Sequence, residues 1–181
     1  MFNTYSRREQ RQLQADDLVL FLDFDGVLHP DAVYRTRCGL ELRAPGALMM
    51  HAPILVEILS DFPQVKICLS TSWVRLLDYR RARAYLPQVL QERTFSGTWH
   101  SQMPSAPLDG YDLYTRYEQI RAAVTRAGIT RWLAIDDDPD HSWPVHDSRL
   151  VRCDSELGLS YRPTQEELIA KLSAMASSAM V

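Results

Sequence analysis

Two acidic residues, Asp23 and Asp25, follow the apolar run LVLFL near the N-terminus and precede Gly26. In an extended chain the side chains at positions i and i+2 project to the same side, so both carboxylates can face one ligand. Such a pair can supply a nucleophile, a proton donor or a ligand for a divalent cation. A D-x-D-G sequence by itself is more often an acidic turn, so its surroundings must favour a catalytic interpretation.

Two further apolar runs also end in polar side chains. The run VKICL is followed by hydroxyl side chains, and the run WLAI is followed by an acidic cluster. These polar residues are Ser70, Thr71 and Ser72 after the first run, and Asp136, Asp137, Asp138 and Asp140 after the second. Continuous apolar runs of this length are typical of strands buried on both faces of a parallel sheet. Because open α/β sheets bind ligands at the carboxyl ends of their strands, we expect the three polar clusters to converge on one site.

The elements that must position these clusters alternate between strands and helices. The predicted helices span residues 52–62, 73–86, 114–127 and 164–173. Thr164 and Glu167 form a T-x-x-E sequence, which predicts a capping box at the start of the last helix. Residues 33–42 predict a hairpin or flap after the first strand, and residues 150–152 predict a short fourth strand. This order favours an α/β protein with a three-layer, Rossmann-like fold and a mainly parallel sheet.

The length of 181 residues predicts a single domain covering the whole chain. We expect its core over residues 18–160, a polar N-terminal segment over residues 1–17 and a frayed tail over residues 174–181. The gaps between the polar clusters are too short for an independently packed cap domain. The site is therefore expected to be open, covered at most by the flap, which favours a large substrate.

Composition excludes several classes of protein. With 20 basic and 23 acidic residues the net charge is −3, so bulk charge gives no reason to expect nucleic-acid binding. Three scattered cysteines without a C-x-x-C pair argue against a disulfide framework and a structural zinc site. The sequence shows neither a secretory signal nor an apolar run that could span a membrane, so we expect a soluble, cytoplasmic protein without a membrane partner.

The polar clusters, in this order, resemble the motifs of the haloacid dehalogenase (HAD) superfamily. LFLDFDGVL resembles motif I, ICLSTSW resembles motif II and WLAIDDDPD resembles motif IV. Arg116 stands where the motif III Lys or Arg is expected. The LSTSW segment and the later CDSELGLS stretch are similar to small HAD domains of the Swiss Army Knife RNA repair type. The resemblance covers roughly residues 18–160.

The resemblance implies a phosphatase that works through an aspartyl-phosphate. Asp23 would be the nucleophile, and Asp25 would protonate the leaving oxygen and then deprotonate the attacking water. Within the superfamily an acid at the position of Asp25 is typical of phosphatases and phosphomutases, so dehalogenase chemistry is excluded.

The implied cofactor is Mg²⁺, which prefers oxygen ligands. Its ligands would be the carboxylate of Asp23, the main-chain carbonyl of Asp25 and an acid of motif IV. Asp136 is the favoured acid and Asp137 the next. Two other acids of this cluster stay open as ligands, namely Asp138 and Asp140.

Phosphate binding would fall on the hydroxyl groups of motif II and on Arg116. Ser70 would donate to a phosphate oxygen, with Thr71 or Ser72 as alternatives, and Arg116 would neutralise another oxygen. The competing interpretations are that Ser70 caps a helix and that Arg116 lies on a solvated helix face.

The leading prediction is therefore a Mg²⁺-dependent phosphomonoester hydrolase with a phosphorylated substrate. A nucleic-acid end-processing phosphatase, acting on a 3′- or 5′-phosphate, is an alternative because a predicted helix carries a basic face. That face consists of Arg75, Arg80, Arg81 and Arg83. A non-catalytic binding or regulatory module is the second alternative. His29, directly after motif I, is a candidate for contact with the substrate.

Overall fold

The computed structural model describes residues 12–37, 39–99, 113–138 and 142–177. Its strands are β1 (Leu18–Leu22), β2 (Val33–Thr36), β3 (Gly39–Leu42), β4 (Val65–Leu69), β5 (Thr94–Gly97), β6 (Arg131–Asp136) and β7 (Leu150–Arg152). Its helices are α1 (Ala52–Ser60), α2 (Trp73–Leu77), α3 (Tyr79–Ala84), α4 (Gln88–Arg93), α5 (Arg116–Ala127) and α6 (Arg162–Ser177). A 3₁₀ helix, Gly158–Ser160, precedes α6.

Strand β1 lies at the centre of a five-stranded sheet with the order β5-β4-β1-β6-β7. All neighbouring strands of this sheet pair in parallel. Leu20 and Leu22 of β1 belong to a core cluster that includes side chains of α1 and α6. Val19 and Phe21 point to the other face and pack in a cluster with side chains of α5. Because helices cover both faces of the sheet, the predicted three-layer α/β fold is confirmed.

The insertion after β1 is a small hairpin. Strands β2 and β3 pair antiparallel, from Val33 opposite Leu42 to Thr36 opposite Gly39, which confirms the predicted flap. Within the described ranges no separately folded cap domain follows β1 or β4. None of the described helices has the length and apolarity needed to cross a bilayer.

The predicted helix over residues 73–86 is wrong, because the chain breaks into α2 and α3 at Asp78. The backbone of Asp78 has φ 81° and ψ 161°, which no helix accommodates. Its side chain accepts a hydrogen bond from the backbone N–H of Arg81 at 3.0 Å and so caps α3. Helix α4 and strand β5 are short and were not predicted from the sequence.

The predicted capping box at the start of the last helix is also wrong. Thr164 lies inside α6 and is buried in the core, so the helix begins two residues earlier. A capping box occurs instead at α5, where the hydroxyl of Thr115 accepts from the backbone N–H of Glu118 and the Glu118 carboxylate accepts from the N–H of Thr115.

The C-terminal end of α6 extends further than the sequence predicts. Residues from 174 onward were expected to fray, but the helix continues to Ser177. Leu172 and Met175 are buried, and this packing stabilises the last turns. Residues 178–181 lie outside the described part of the chain.

Replacing Gly158 with Ala tests how tightly the turn before α6 packs against the D-x-D-G loop. Gly158 has φ 50°, and a Cβ atom there would lie 2.4 Å from the carbonyl oxygen of Val27. We expect Gly158→Ala to lower the free energy of unfolding by about 2–4 kcal/mol, measured by urea denaturation. Gly128→Ala is the control, since its φ is 67° but its Cβ would meet nothing closer than 3.7 Å. That variant should lose about 1 kcal/mol, and equal losses in the two variants would contradict the close approach.

Candidate active site

The central strands of the sheet end in register. Leu22 of β1 pairs with Leu69 of β4 on one side and with Ile135 of β6 on the other. The next residue along each of the three strands is Asp23, Ser70 or Asp136, respectively. Parallel pairing therefore brings the three polar clusters to one edge of the sheet, as the sequence predicts.

An open cleft of about 670 Å³ lies at this edge. Its acidic lining residues are Asp23, Asp25, Asp31, Asp136, Asp137 and Asp138. Its cationic lining residues are Arg35, Arg75 and Arg116. The cleft thus combines a dense cluster of carboxylates with guanidinium groups that can pair with a phosphate.

Arg116 projects into the cleft from the first turn of α5. Its Nη2 lies 3.7 Å from Oδ2 of Asp23, and its Nε lies 3.4 Å from Oδ2 of Asp136. These are ion-pair distances without the geometry of a hydrogen bond. Nη1 donates to Oε1 of Gln119 at 3.2 Å, which fixes the guanidinium between the acids. The side chain of Arg116 is 22% exposed, so it lies at the site and not on a solvated helix face.

The side chains of Asp23, Asp136 and Asp137 each offer an oxygen atom, and these atoms all lie within 4.8 Å of one another. Oδ1 of Asp136 accepts from the backbone N–H of Asp138 at 2.8 Å. Oδ2 of Asp137 is buried and has no hydrogen-bond partner among the described residues. Clustered, unsatisfied carboxylate oxygens are the donors that Mg²⁺ prefers, so the residues fit the cation that the resemblance implies.

Burial and mutual repulsion raise the pKa values of this acid cluster. Burial raises the pKa of Asp23 to about 6, although the nearby Arg116 guanidinium opposes the shift. Burial, together with the charges of neighbouring carboxylates, raises the pKa of Asp137 to about 7. The same two causes raise the pKa of Asp136 well above its ordinary value. Negative charge at these positions is therefore unfavourable until a cation shares the site.

The hydroxyl groups of motif II divide between the cleft and the interior. Thr71 and Ser72 line the cleft. The hydroxyl of Thr71 accepts from the backbone N–H of Trp73 at 3.3 Å, and its interaction with Asp23 lowers the pKa of that acid. Ser70 is buried, and its hydroxyl has no hydrogen-bond partner in the described part of the chain. The residue that precedes α2 is Ser72, so Ser70 is not the helix cap.

Asp138 is engaged by protein groups. Its Oδ1 accepts from the backbone N–H of Ser142 at 2.7 Å, and its Oδ2 lies 2.9 Å from Nη2 of Arg152. Both oxygens of Asp138 are therefore engaged by protein groups, whereas Asp136 and Asp137 lie in the carboxylate cluster with Asp23. Asp140, the fourth acid of this cluster, lies outside the described residues.

The basic residues at the cleft differ from the predicted basic face. Of its four arginines, Arg75 lines the cleft, whereas the three on α3 do not lie in the described lining. Arg35 of β2 is a cleft residue that was not predicted from the sequence. Strand alternation could have identified it, because Arg35 shares a face with Val33, which packs against the core.

The CDSELGLS stretch is joined to the D-x-D-G loop and the residues after it by backbone hydrogen bonds. The backbone N–H of Leu159 donates to the carbonyl of Val27 at 2.9 Å, and the N–H of Asp31 donates to the carbonyl of Ser155 at 2.8 Å. These bonds fix the chain directly after motif I, where Asp25 must be oriented.

The family model for the HAD domain in Swiss Army Knife RNA repair proteins matches residues 19–163. The chain belongs to this family. No curated protein matches it. Membership supports a role for this HAD domain as a phosphatase or in processing nucleic-acid ends, and its buried acids fit the Mg²⁺ that HAD domains generally use.

Asp137→Asn tests the repulsion within the acid cluster of this HAD domain. Because the pKa of Asp137 is about 7 in the folded protein and 3.8 is its ordinary value, folding favours the protonated form. That stabilisation is present below about pH 4 and is lost as the pH rises to about 7. In EDTA at pH 7.5 we expect the variant to be more stable than the wild type by on the order of 1 kcal/mol, measured by urea denaturation.

Mg²⁺ should reverse this order, because the variant has lost one anionic ligand and gains less stability from the cation. Asp147→Asn is the control, since hydrogen bonds from Arg149 lower the pKa of Asp147 and its replacement should destabilise the protein. A destabilised Asp137→Asn protein in EDTA would contradict the proposed repulsion.

Proposed function

We propose that this HAD domain is a Mg²⁺-dependent phosphomonoester hydrolase with an aspartyl-phosphate intermediate on Asp23. The observation that carries the proposal is the position of Asp23, at the base of an open cleft and beside Arg116, Asp136 and Asp137. The catalytic unit would be residues 18–160 of a single domain.

Asp23 is well held for attack on phosphorus. Its Oδ1 accepts from the backbone N–H of Phe24 at 2.7 Å. With a pKa of about 6, Asp23 is mostly ionised at neutral pH. A carboxylate oxygen would form the bond to phosphorus while the bond to the leaving oxygen breaks.

Asp25 would act as the general acid in the first step of the reaction and as the general base in the second. Its side chain lines the cleft beside Asp23. In the first step it would donate a proton to the leaving oxygen, and in the second it would accept one from water. That water attacks phosphorus, the bond to Asp23 breaks and phosphate leaves.

The proposed Mg²⁺ ligands are the carboxylates of Asp23, Asp136 and Asp137 and the main-chain carbonyl of Asp25. When bound, the cation offsets the repulsion between these acids and an anionic phosphate and stabilises charge in the transition state. Arg116 and Thr71 would hold phosphate oxygens, with Ser70 as the alternative hydroxyl donor.

Asp23→Asn should reduce phosphate release from p-nitrophenyl phosphate to the background rate, because the variant lacks the attacking carboxylate. Asp25→Asn should lose about 10²–10⁴-fold on substrates with poor leaving groups, and less on p-nitrophenyl phosphate, whose leaving group needs no proton. Asp61→Asn, an exposed acid outside the cleft lining, is the control. Steady-state kinetics with Mg²⁺ would measure these effects. An active Asp23→Asn enzyme would overturn the mechanism.

A phosphorylated nucleic-acid end is the second candidate substrate, because the cleft carries more cations than a single phosphate needs. Besides Arg116, the cleft is lined by Arg35 on the flap and by Arg75 on α2. Exposed Leu76 and Tyr114 line it as well and could contact a base. The family is named after RNA repair proteins, which agrees with this substrate class.

Removing Arg35 and Arg75 tests this substrate class. If they contact phosphates beyond the scissile one, R35Q/R75Q should raise KM about tenfold for a terminally phosphorylated oligonucleotide and weaken its salt dependence. The effect on p-nitrophenyl phosphate should be smaller. Arg81→Gln on α3 is the matched control, since Arg81 is exposed but lies outside the described cleft lining. Equal effects of R35Q/R75Q on both substrates would argue against a nucleic-acid end.

A further inference from the structure

His29 is a buried titratable residue that the reaction outlined above does not use. Its side chain is 0% exposed and does not line the cleft, so it is not placed for contact with the substrate. Its Nε2 lies 3.1 Å from Oδ1 of Asp25, and its Nδ1 lies 3.3 Å from the backbone nitrogen of Met49. The ring therefore bridges Asp25 and a distant part of the chain.

The partners of the ring determine which nitrogen carries the proton. A backbone N–H can only donate, so Nδ1 of His29 must accept from Met49 and carries no proton. The proton of the neutral ring then sits on Nε2, which donates to Oδ1 of Asp25. The direction of both hydrogen bonds follows from the chemistry of the Met49 amide.

The other oxygen of Asp25 also has a donor. Nε1 of the Trp73 indole donates to Oδ2 of Asp25 at 2.8 Å. The indole is held by edge-to-face contacts with Phe24, at 5.3 Å between ring centroids, and with Tyr85, at 4.9 Å. Trp73 is 2% exposed, so this donor is fixed by packing.

The backbone of Met49, which donates to Nδ1 of His29, has an unusual conformation. Met49 has φ 61°, a left-handed conformation that is uncommon for a residue with a side chain. Such backbone strain persists only where the surrounding structure enforces it, and it is often found beside functional sites. In this conformation the N–H of Met49 reaches Nδ1 of His29.

We propose that His29 and Trp73 are positioning residues. They hydrogen-bond to the two oxygens of Asp25 and orient its carboxyl group toward the leaving oxygen of the substrate. The proposal rests on the acid–base role of Asp25 proposed above. Each carboxylate oxygen keeps a second lone pair after accepting one N–H. Held on both oxygens, Asp25 must exchange its proton through those remaining lone pairs, which are fixed relative to the cleft.

Two substitutions of His29 separate the contact with Asp25 from the contact with Met49. The amide nitrogen of Gln lies near the place of Nε2, so His29→Gln can still donate to Asp25. The side-chain oxygen of Asn lies near the place of Nδ1, so His29→Asn can still accept from Met49 but does not reach Asp25. A third variant, Trp73→Phe, removes the other donor and keeps an aromatic ring in the packing.

The readout is the dependence of kcat/KM on the leaving group, measured with Mg²⁺ and a series of aryl phosphates. A mispositioned Asp25 protonates the leaving oxygen poorly, so the poorest leaving groups lose most. We expect His29→Asn and Trp73→Phe to lose about tenfold more on the poorest leaving group than on p-nitrophenyl phosphate. His29→Gln should stay closer to the wild type.

The proposal is overturned if His29→Asn and Trp73→Phe keep the leaving-group dependence of the wild type, or if they lose activity equally on every substrate. If the His29 variants fail to fold, Trp73→Phe alone decides. If the wild type hydrolyses no aryl phosphate, the proposed function fails, and NMR of the imidazole then decides the contact. A proton on Nε2 of His29 whose signal shifts in Asp25→Ala supports the hydrogen bond from His29 to Asp25. A proton on Nδ1 overturns the proposal.

Discussion

The crowding of buried carboxyl groups at the edge of the sheet is the constraint on which the rest of the site depends. Oxygen atoms of Asp23, Asp136 and Asp137 lie within 4.8 Å of one another, and Arg116 is the cation paired with two of these acids. Like charges repel strongly when burial removes the screening of water. The parallel sheet holds these acids together because β1, β4 and β6 end in register, and the hydrophobic burial of both sheet faces maintains that register.

Close packing of the loops after β1 and β6 also brings the acidic side chains together. A Cβ atom on Gly26, which has φ 66°, would lie 2.2 Å from Oδ2 of Asp137, so only glycine lets the D-x-D-G loop lie against this acid. Asp138 has φ 45° and pairs with Arg152, which fixes the chain directly after β6 at Asp138. The loops therefore bring oxygen atoms together at a site where a divalent cation would relieve their repulsion. This is how a fold stabilised by its apolar core can maintain an electrostatically unfavourable site.

Much of this arrangement could be predicted from the sequence, because it depends on local patterns. The apolar runs of β1, β4 and β6 and the polar residues after them predicted both the parallel sheet and the convergence of Asp23, Asp136 and the hydroxyl side chains of residues 70–72. The break at Asp78 could not be predicted, because residues 73–86 keep a helical pattern and the break depends on one strained backbone conformation.

Contacts between distant segments of the chain also could not be predicted from the sequence. His29 faces Asp25 because the backbone N–H of Met49, 20 residues further along the chain, donates to the other side of its ring. Such long-range contacts leave no periodic signal in the chain. The capping pattern at Thr164 was misleading because burial of this threonine inside α6 outweighed its preference for a helix start.

The central claim is that Asp23 becomes phosphorylated while it lies among these acids. The most direct measurement is to mix the protein with Mg²⁺ and excess p-nitrophenyl phosphate, quench with acid within the first turnovers, and reduce with borohydride before peptide mass spectrometry. Borohydride reduces an acyl phosphate to an alcohol, so we expect homoserine at position 23. Turnover of the substrate with an unmodified Asp23, or with the modification at Asp25 or Asp136, would contradict it.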